Sequence, residues 1–302
     1  MILVVLSVGT ASMLLVHEMS RPMSSTFLLT PKKYGQLSSR GAQITDENWQ
    51  NADNTAARGW LLRGTPNAPA IVVLYKYGAN RSHVLNLAVK INEATNFTVL
   101  MPEQRGHGEN PAVNFTSFGG CEADDLGAAI AFLRGLRAPE QIPVVGPDIG
   151  VYGLEMGALA ACTTAANDAS IKALVLDSVP RDSDAVLSKS VERRFPFASS
   201  VTSEFARLGS VPYYFNGCYR RVPACESAKL MTNRKVMLLA GVEEPELQES
   251  TNKLAKCFPQ GTTVVSETGL SPSGFNMSNA SVELSQAYDQ RIIDFFRVAL
   301  AR

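Results

Sequence analysis

The chain has 302 residues, of which 45% are hydrophobic and 19% are charged, and its 28 basic residues balance its 28 acidic ones. This length and composition are sufficient for one large core with a small insertion. The zero net charge and the lack of a basic tract argue against nucleic acid as a partner.

The chain begins with an apolar segment, since residues 1–16 carry no charged side chain. The segment is slightly shorter than the roughly 20 residues that span a bilayer as a helix, and no basic residues precede it as in most secretory signals. We predict that residues 1–17 are a membrane anchor or signal segment, with a buried N-terminal helix as the alternative. The protein would then be membrane-anchored or exported. The mixed charges that follow leave the side of the membrane open.

Residues 18–41 are rich in Ser, Pro and Lys, and we interpret them as a linker to a domain at 42–302. In that domain, apolar strand-like runs alternate with helical patterns, which is typical of a largely parallel sheet with helices on both faces. The first two runs, 57–64 and 70–77, flank a Thr-Pro-Asn turn signal and are predicted to start the sheet as a hairpin-like pair.

The later elements follow in regular order. Helical spacing predicts helices at 81–95, 121–136, 157–166, 245–257 and 282–300, and apolar runs predict strands at 97–102, 149–154, 171–179, 236–241 and 262–266. The alternation breaks at about 182–233, a segment rich in Phe, Tyr and Arg. We interpret this segment as a lid-like insertion, whose aromatic side chains either cap a pocket or simply pack on the sheet.

The five cysteines give an odd count and no Cys/His cluster. Cys218 and Cys225 are close in sequence and could pair in an oxidising compartment. We nevertheless expect five free, mostly buried thiols, because unpaired cysteine is among the most buried residue types. No metal or cofactor is expected.

Residues 153–157 read Gly-Leu-Glu-Met-Gly between a strand and a helix of small residues. This frame resembles the Gly-x-Ser-x-Gly nucleophile elbow of the α/β-hydrolase superfamily, with Glu155 in place of the serine. Residues 102–108, Pro-Glu-Gln-Arg-Gly-His-Gly, resemble the family's Asp-x-Arg-Gly-His-Gly turn. The nearest-looking branch contains serine-aminopeptidase-like and esterase-like bacterial proteins.

The resemblance implies an α/β-hydrolase fold, with a mostly parallel eight-stranded sheet, and a set of site positions. Tyr75 and Lys76 replace the family's His-Gly pair, and the backbone N–H groups of Tyr77 and Met156 would be the oxyanion donors. Met156 would present its N–H from the N-terminus of a helix.

Other positions complete the implied site. Arg105 and His107 would lie beside it, with His107 in a mainly structural role. Glu244 takes the position of the family's acid, next to Glu243. No histidine follows the last strand, so the histidine position is unfilled.

These features leave two classes of function open. The first is a non-catalytic or divergent member that binds a small molecule or peptide in the former active site. The second is an active hydrolase that uses Glu155 as a nucleophile or general base. We also predict that Glu155 forms an ion pair with Lys76 or Arg105, because a lone carboxylate at a partly buried site is costly. The oligomeric state is left open.

Overall fold

The computed structural model describes residues 2–22, 30–37, 42–108, 111–197, 199–215 and 217–301. The strands of one eight-stranded sheet are β1 (Ile44–Gln50), β2 (Ala56–Leu62), β3 (Ala68–Leu74), β4 (Thr98–Pro102), β5 (Val145–Leu154), β6 (Ile171–Asp177), β7 (Lys235–Gly241) and β8 (Thr263–Leu270). The helices are α1 (Ile2–Met19), α2 (Pro31–Leu37), α3 (Leu85–Thr95), α4 (Cys121–Gly135), α5 (Met156–Asn167), α6 (Ser183–Arg194), α7 (Ser199–Tyr213), α8 (Ala224–Ala228), α9 (Pro245–Ala255) and α10 (Val282–Ala299).

The strand order is β1-β2-β4-β3-β5-β6-β7-β8. β1 and β2 pair antiparallel, β2 pairs antiparallel with β4, and every later pair is parallel. The predicted pairing of the first two apolar runs is therefore wrong, because β4 lies between β2 and β3. The antiparallel partner of β2 is β1, a strand at the sheet edge with few buried residues and so no strong apolar signal.

The central strands are almost continuously apolar because helices cover both faces of the sheet. One core lies against α4 and α5, and the other lies against α3 and α10. The carboxyl ends of β3, β5, β6 and β7 meet at one edge, where sites form in open parallel sheets.

Helix α1 packs along α7. Val16, Met19 and Ser20 are buried, and an added Cβ at Gly209 would lie 2.3 Å from the Ser12 carbonyl oxygen. The boundary predicted after residue 17 therefore lies inside a helix, and the predicted linker contains α2. Linker residues 23–29 and 38–41 lie outside the described residues. No described helix is both long and apolar enough to cross a membrane.

The segment between β6 and β7 forms α6, α7 and α8 and carries two of the four bridged cysteines. Cys121 at the start of α4 pairs with Cys218, and Cys225 in α8 pairs with Cys257 after α9. The expectation of five free thiols is wrong, as is the alternative pairing of Cys218 with Cys225. The cysteines that are distant in sequence meet because α4 and α9 both border this segment, and Cys162 is the unpaired one.

Candidate functional site

Glu155 stands on a sharp strand-to-helix turn. It follows β5 directly, and its backbone has φ 49° and ψ −109°, in the region that side chains rarely adopt. The turn requires glycine on both sides, since an added Cβ would lie 2.6 Å from the Ala158 Cα at Gly153 and 2.7 Å from the Leu74 Cβ at Gly157. The local geometry is therefore that of a nucleophile elbow with a carboxylate at its centre.

The Glu155 carboxylate is buried and has a separate partner on each oxygen. The Tyr77 backbone N–H donates to Oε2 over 2.8 Å, and the Arg193 guanidinium lies 3.0 Å from Oε1. Only 1% of the Glu155 side chain is exposed, compared with 36% for that of Arg193. The charge of the carboxylate is thus balanced by a cation from the last turn of α6, where a cation also interacts favourably with the helix dipole.

Lys76 and Arg105 are not the ion-pair partners of Glu155, so that prediction is wrong about the cation. The Lys76 ammonium binds the carbonyl oxygen of Phe275 and lies 4.3 Å from the centre of its ring. Burial lowers the pKa of Lys76, the nearby Arg193 lowers it further, and the Glu155 carboxylate partly opposes this effect. Lys76 therefore lies in the same electrostatic environment as Glu155 without contacting it.

Arg105 is committed to another cluster. Its guanidinium makes two 2.5 Å contacts with Asp125 on α4 and one of 2.9 Å with Asp53. Burial by itself lowers the pKa of Arg105, but these carboxylates raise it above its usual range. The charge of Arg105 is thus balanced by two carboxylates other than Glu155.

His107 is buried, and both of its ring nitrogens face backbone groups. Nδ1 lies 2.7 Å from the Arg105 carbonyl oxygen, and Nε2 accepts the Gly78 N–H over 3.0 Å. Burial lowers the pKa of His107, so the neutral ring with its proton on Nδ1 suits both contacts. These contacts hold the turn that contains Tyr77.

Tyr75 and Tyr77 take different places. The Tyr75 hydroxyl accepts the Gln104 N–H over 2.8 Å in a fully buried position, so its ring belongs to the core rather than to a pocket wall. The Tyr77 hydroxyl donates to the Met19 carbonyl at the end of α1 over 2.6 Å. Met156 is the first residue of α5 and is also buried.

Comparisons with known proteins found similar solved structures. The Pyrococcus furiosus esterase Pf2001 is similar over 94% of this chain and 99% of its own, with 19% identity and a TM-score of 0.67. Dienelactone hydrolase from Anabaena variabilis is similar over 86% of this chain and 99% of its own, with 12% identity and a TM-score of 0.59. The α/β-hydrolase GrgF from Penicillium sp. sh18 has a TM-score of 0.60, with 16% identity over 86% of this chain and all of its own.

The chain has the α/β-hydrolase fold. At these identities the likeness shows the fold alone. No family model and no curated protein matches the sequence.

The loops after β7 and β8, where the family resemblance places the acid and the histidine, are joined by Glu243 and Ser273. Glu243 Oε1 accepts both the Ser273 N–H over 2.7 Å and its hydroxyl over 2.9 Å. Burial by itself raises the pKa of Glu243, but the hydrogen bonds from Ser273 bring it below its usual value. Glu244, predicted for the acid position, instead pairs with Lys189 over 2.8 Å at the start of α9.

A second carboxylate holds the same segment. Asp177, at the end of β6, is fully buried and accepts the Gly274 N–H over 2.9 Å and the Tyr288 hydroxyl over 2.5 Å. Burial raises the pKa of Asp177. Neighbouring amides of the segment after β8 are thus bound by two different carboxylates.

Sequence reasoning missed Arg193, Asp177 and the Glu243–Ser273 pair. Asp177 carried a usable signal, because a carboxylate that ends a buried parallel strand lies at the edge where sites form. Arg193 carried none, because its 38-residue separation from Glu155 is bridged only by tertiary packing.

Two cavities lie away from Glu155. One of about 670 Å³ lies beside the stacked rings of Trp49 and Phe132, and another of about 510 Å³ lies beside the Cys225–Cys257 bridge. Neither is lined by Glu155. Among the described residues, no group of His, Cys, Asp and Glu has an arrangement suited to a metal ion.

Proposed function

We propose that this protein is a non-catalytic member of its fold class, in which the former active site is closed by an internal ion pair. The observation that carries the proposal is the double engagement of Glu155, through the Tyr77 N–H and Arg193. An oxyanion donor has to be vacant to stabilise a developing negative charge. Here the donor already binds a permanent one.

The alternative, a hydrolase that uses Glu155, is less well supported by the same contacts. A carboxylate nucleophile needs a free oxygen that faces the substrate, and a general base needs a proton-transfer partner. Both Glu155 oxygens are occupied, and His107 uses both ring nitrogens on backbone groups. Ser273, in the loop where the family resemblance places the histidine, cannot act as a base at neutral pH.

The role that remains for the molecule is binding. A small-molecule or peptide ligand in the former site would have to compete with Glu155 for Arg193, whose side chain is partly exposed. A ligand carboxylate has the chemistry to do so, because it can bind guanidinium in a bidentate manner.

The test is reactivity at the elbow. A fluorophosphonate probe should leave the wild-type protein unlabelled. The wild-type protein should hydrolyse short-chain nitrophenyl esters no faster than the Glu155→Ala variant does. Glu155→Ser alone should not create an efficient esterase, because nothing would activate the hydroxyl. Stoichiometric labelling of the wild type, or ester turnover that disappears in Glu155→Gln, would contradict the proposal and favour the hydrolase.

A further inference from the structure

One surface of the molecule exposes several large apolar side chains on and beside α7. On α7, Val201, Phe205 and Leu208 recur at helical spacing and are all exposed, Leu208 by 64%. Phe197 precedes the helix and is completely exposed. We call these four residues the α7 stripe.

Helix α1 extends this surface. Ser12 lies against Gly209 and the His17 ring lies against Tyr213, so α1 and α7 run side by side in the same direction. Leu14 of α1 is 63% exposed. Residues 7–11 of α1 are also in exposed positions.

The exposed part of α1 contains no charge, since the first charged side chain of the chain is Glu18. A charge-free helix beside an exposed apolar stripe suits a lipid interface, because no charged group has to leave water when both are covered.

Charge at the border of the α7 stripe points the same way. Arg194 stands three residues before Phe197, and its guanidinium lies 5.7 Å from the Phe195 ring. Among the described residues it has no carboxylate within ion-pair distance, whereas Glu204 on α7 is neutralised by Arg207 over 2.8 Å. A free arginine beside exposed aromatic rings is suited to the phosphate level of a membrane surface.

We propose that the α7 stripe and the N-terminal part of α1 form one face that docks on an anionic lipid bilayer. Because α1 and α7 run side by side in the same direction, both helices lie in the plane of the interface, and Arg194 meets lipid phosphate. The proposal differs from a single transmembrane span, because Val16 and Met19 are buried against the domain and remain there. It is independent of whether Glu155 is catalytic.

Flotation of the full chain with vesicles tests the proposal. The wild type should float with vesicles of equimolar phosphatidylcholine and phosphatidylglycerol. Val201→Ser/Leu208→Ser should reduce binding about tenfold, given the apolar area removed. The matched control is Val298→Ser/Leu284→Ser, which replaces two exposed apolar residues of α10 and should bind as the wild type does.

Two further measurements separate the alternatives. Leu208→Trp fluorescence should be quenched by brominated lipid, whereas Val298→Trp fluorescence should not. Arg194→Ser should weaken binding to the mixed vesicles but not to pure phosphatidylcholine. A wild type that stays out of the vesicle fraction, or equal binding by the α7 and α10 variants, would overturn the proposal. Sedimentation of vesicle-free protein as a dimer that Val201→Ser/Leu208→Ser dissociates, without vesicle binding, would assign the face to a second copy instead.

Discussion

At the scale of single residues, the elbow depends on a charge balance between Glu155 and Arg193. Replacing one partner leaves the other uncompensated, so Glu155→Gln and Arg193→Met should each lower the free energy of unfolding by roughly 1–3 kcal/mol. The double variant should lose less than the sum, and urea denaturation would measure this coupling. Lys76→Met and Arg105→Met provide the comparison cycles. A larger coupling of Glu155 with either of them than with Arg193 would contradict the pairing.

His107 predicts a pH dependence. Burial lowers its pKa from the usual value near 6.5, so below about pH 6.5 the unfolded chain binds more protons than the folded protein does. Stability should therefore be lost as the pH falls, with a slope of up to about 1.4 kcal/mol per pH unit from this group. Urea denaturation between pH 5 and pH 8 would measure the slope.

The control for this pH dependence is a conservative change at the same ring. His107→Gln should reduce the slope. Burial also lowers the pKa of His83, but this side chain is the more exposed of the two, so His83→Gln should reduce the slope less. An unchanged slope in His107→Gln would mean that other groups cause the pH dependence.

At the scale of elements, α1 contains an exposed stretch at residues 7–11 and a later part in which Ser12, Val16 and Met19 are buried. A chain that starts at Ser12 should keep the stability of the wild type, because residues 7–11 are exposed. A chain that starts at Ser24 should lose about 3–6 kcal/mol, from Val16 and Met19 at about 1.5–3 kcal/mol each. The Tyr77 hydroxyl would also lose the Met19 carbonyl. Denaturant unfolding of both chains measures the difference, and equal stability would show that α1 is only an appendage.

The predicted loss of stability differs from a simpler expectation that the sequence suggests. A charge-free segment followed by a Ser- and Pro-rich stretch suggests that everything before about residue 24 can be removed without effect. The packing of α1 on α7 argues otherwise, because the Thr116 N–H donates to the Ser20 carbonyl over 2.8 Å. The loop that leads into α4 is thus hydrogen-bonded to the end of α1.

At the scale of the whole molecule, the two disulfides tie the α6–α8 segment to α4 on one side and to α9 on the other. In the chain-entropy account, bridging 97 residues contributes up to about 5 kcal/mol, and bridging 32 residues contributes about 3–4 kcal/mol. Such pairs persist in oxidising compartments, which supports the proposal that the domain is exported.

The pairing itself is testable by peptide mapping without reduction. It should yield the cross-links Cys121–Cys218 and Cys225–Cys257. Cys162 should react with thiol reagents only after unfolding, because burial raises its pKa to about 12 and hides the sulfur. Recovery of a Cys218–Cys225 peptide, or of five reactive thiols in the native protein, would be the contrary result.

The sequence by itself determined the fold class and the elbow. The α/β-hydrolase fold was predicted from apolar runs that alternate with helices and from the glycine frame at 153–157, which are local features that report on sheet burial and on close backbone approach. It also indicated that a carboxylate at position 155 needs a cation nearby.

Only the tertiary structure decided which cation that is, and which carboxylates hold the segment after β8. Arg193, Asp177 and Glu243 reach their partners through strand order and through the α6–α8 segment, and none of these contacts lies within reach along the chain. The same holds for the disulfides and for the position of β4 between β2 and β3. Periodicity reports how each element is buried, whereas the choice of partner depends on how the elements pack together in three dimensions.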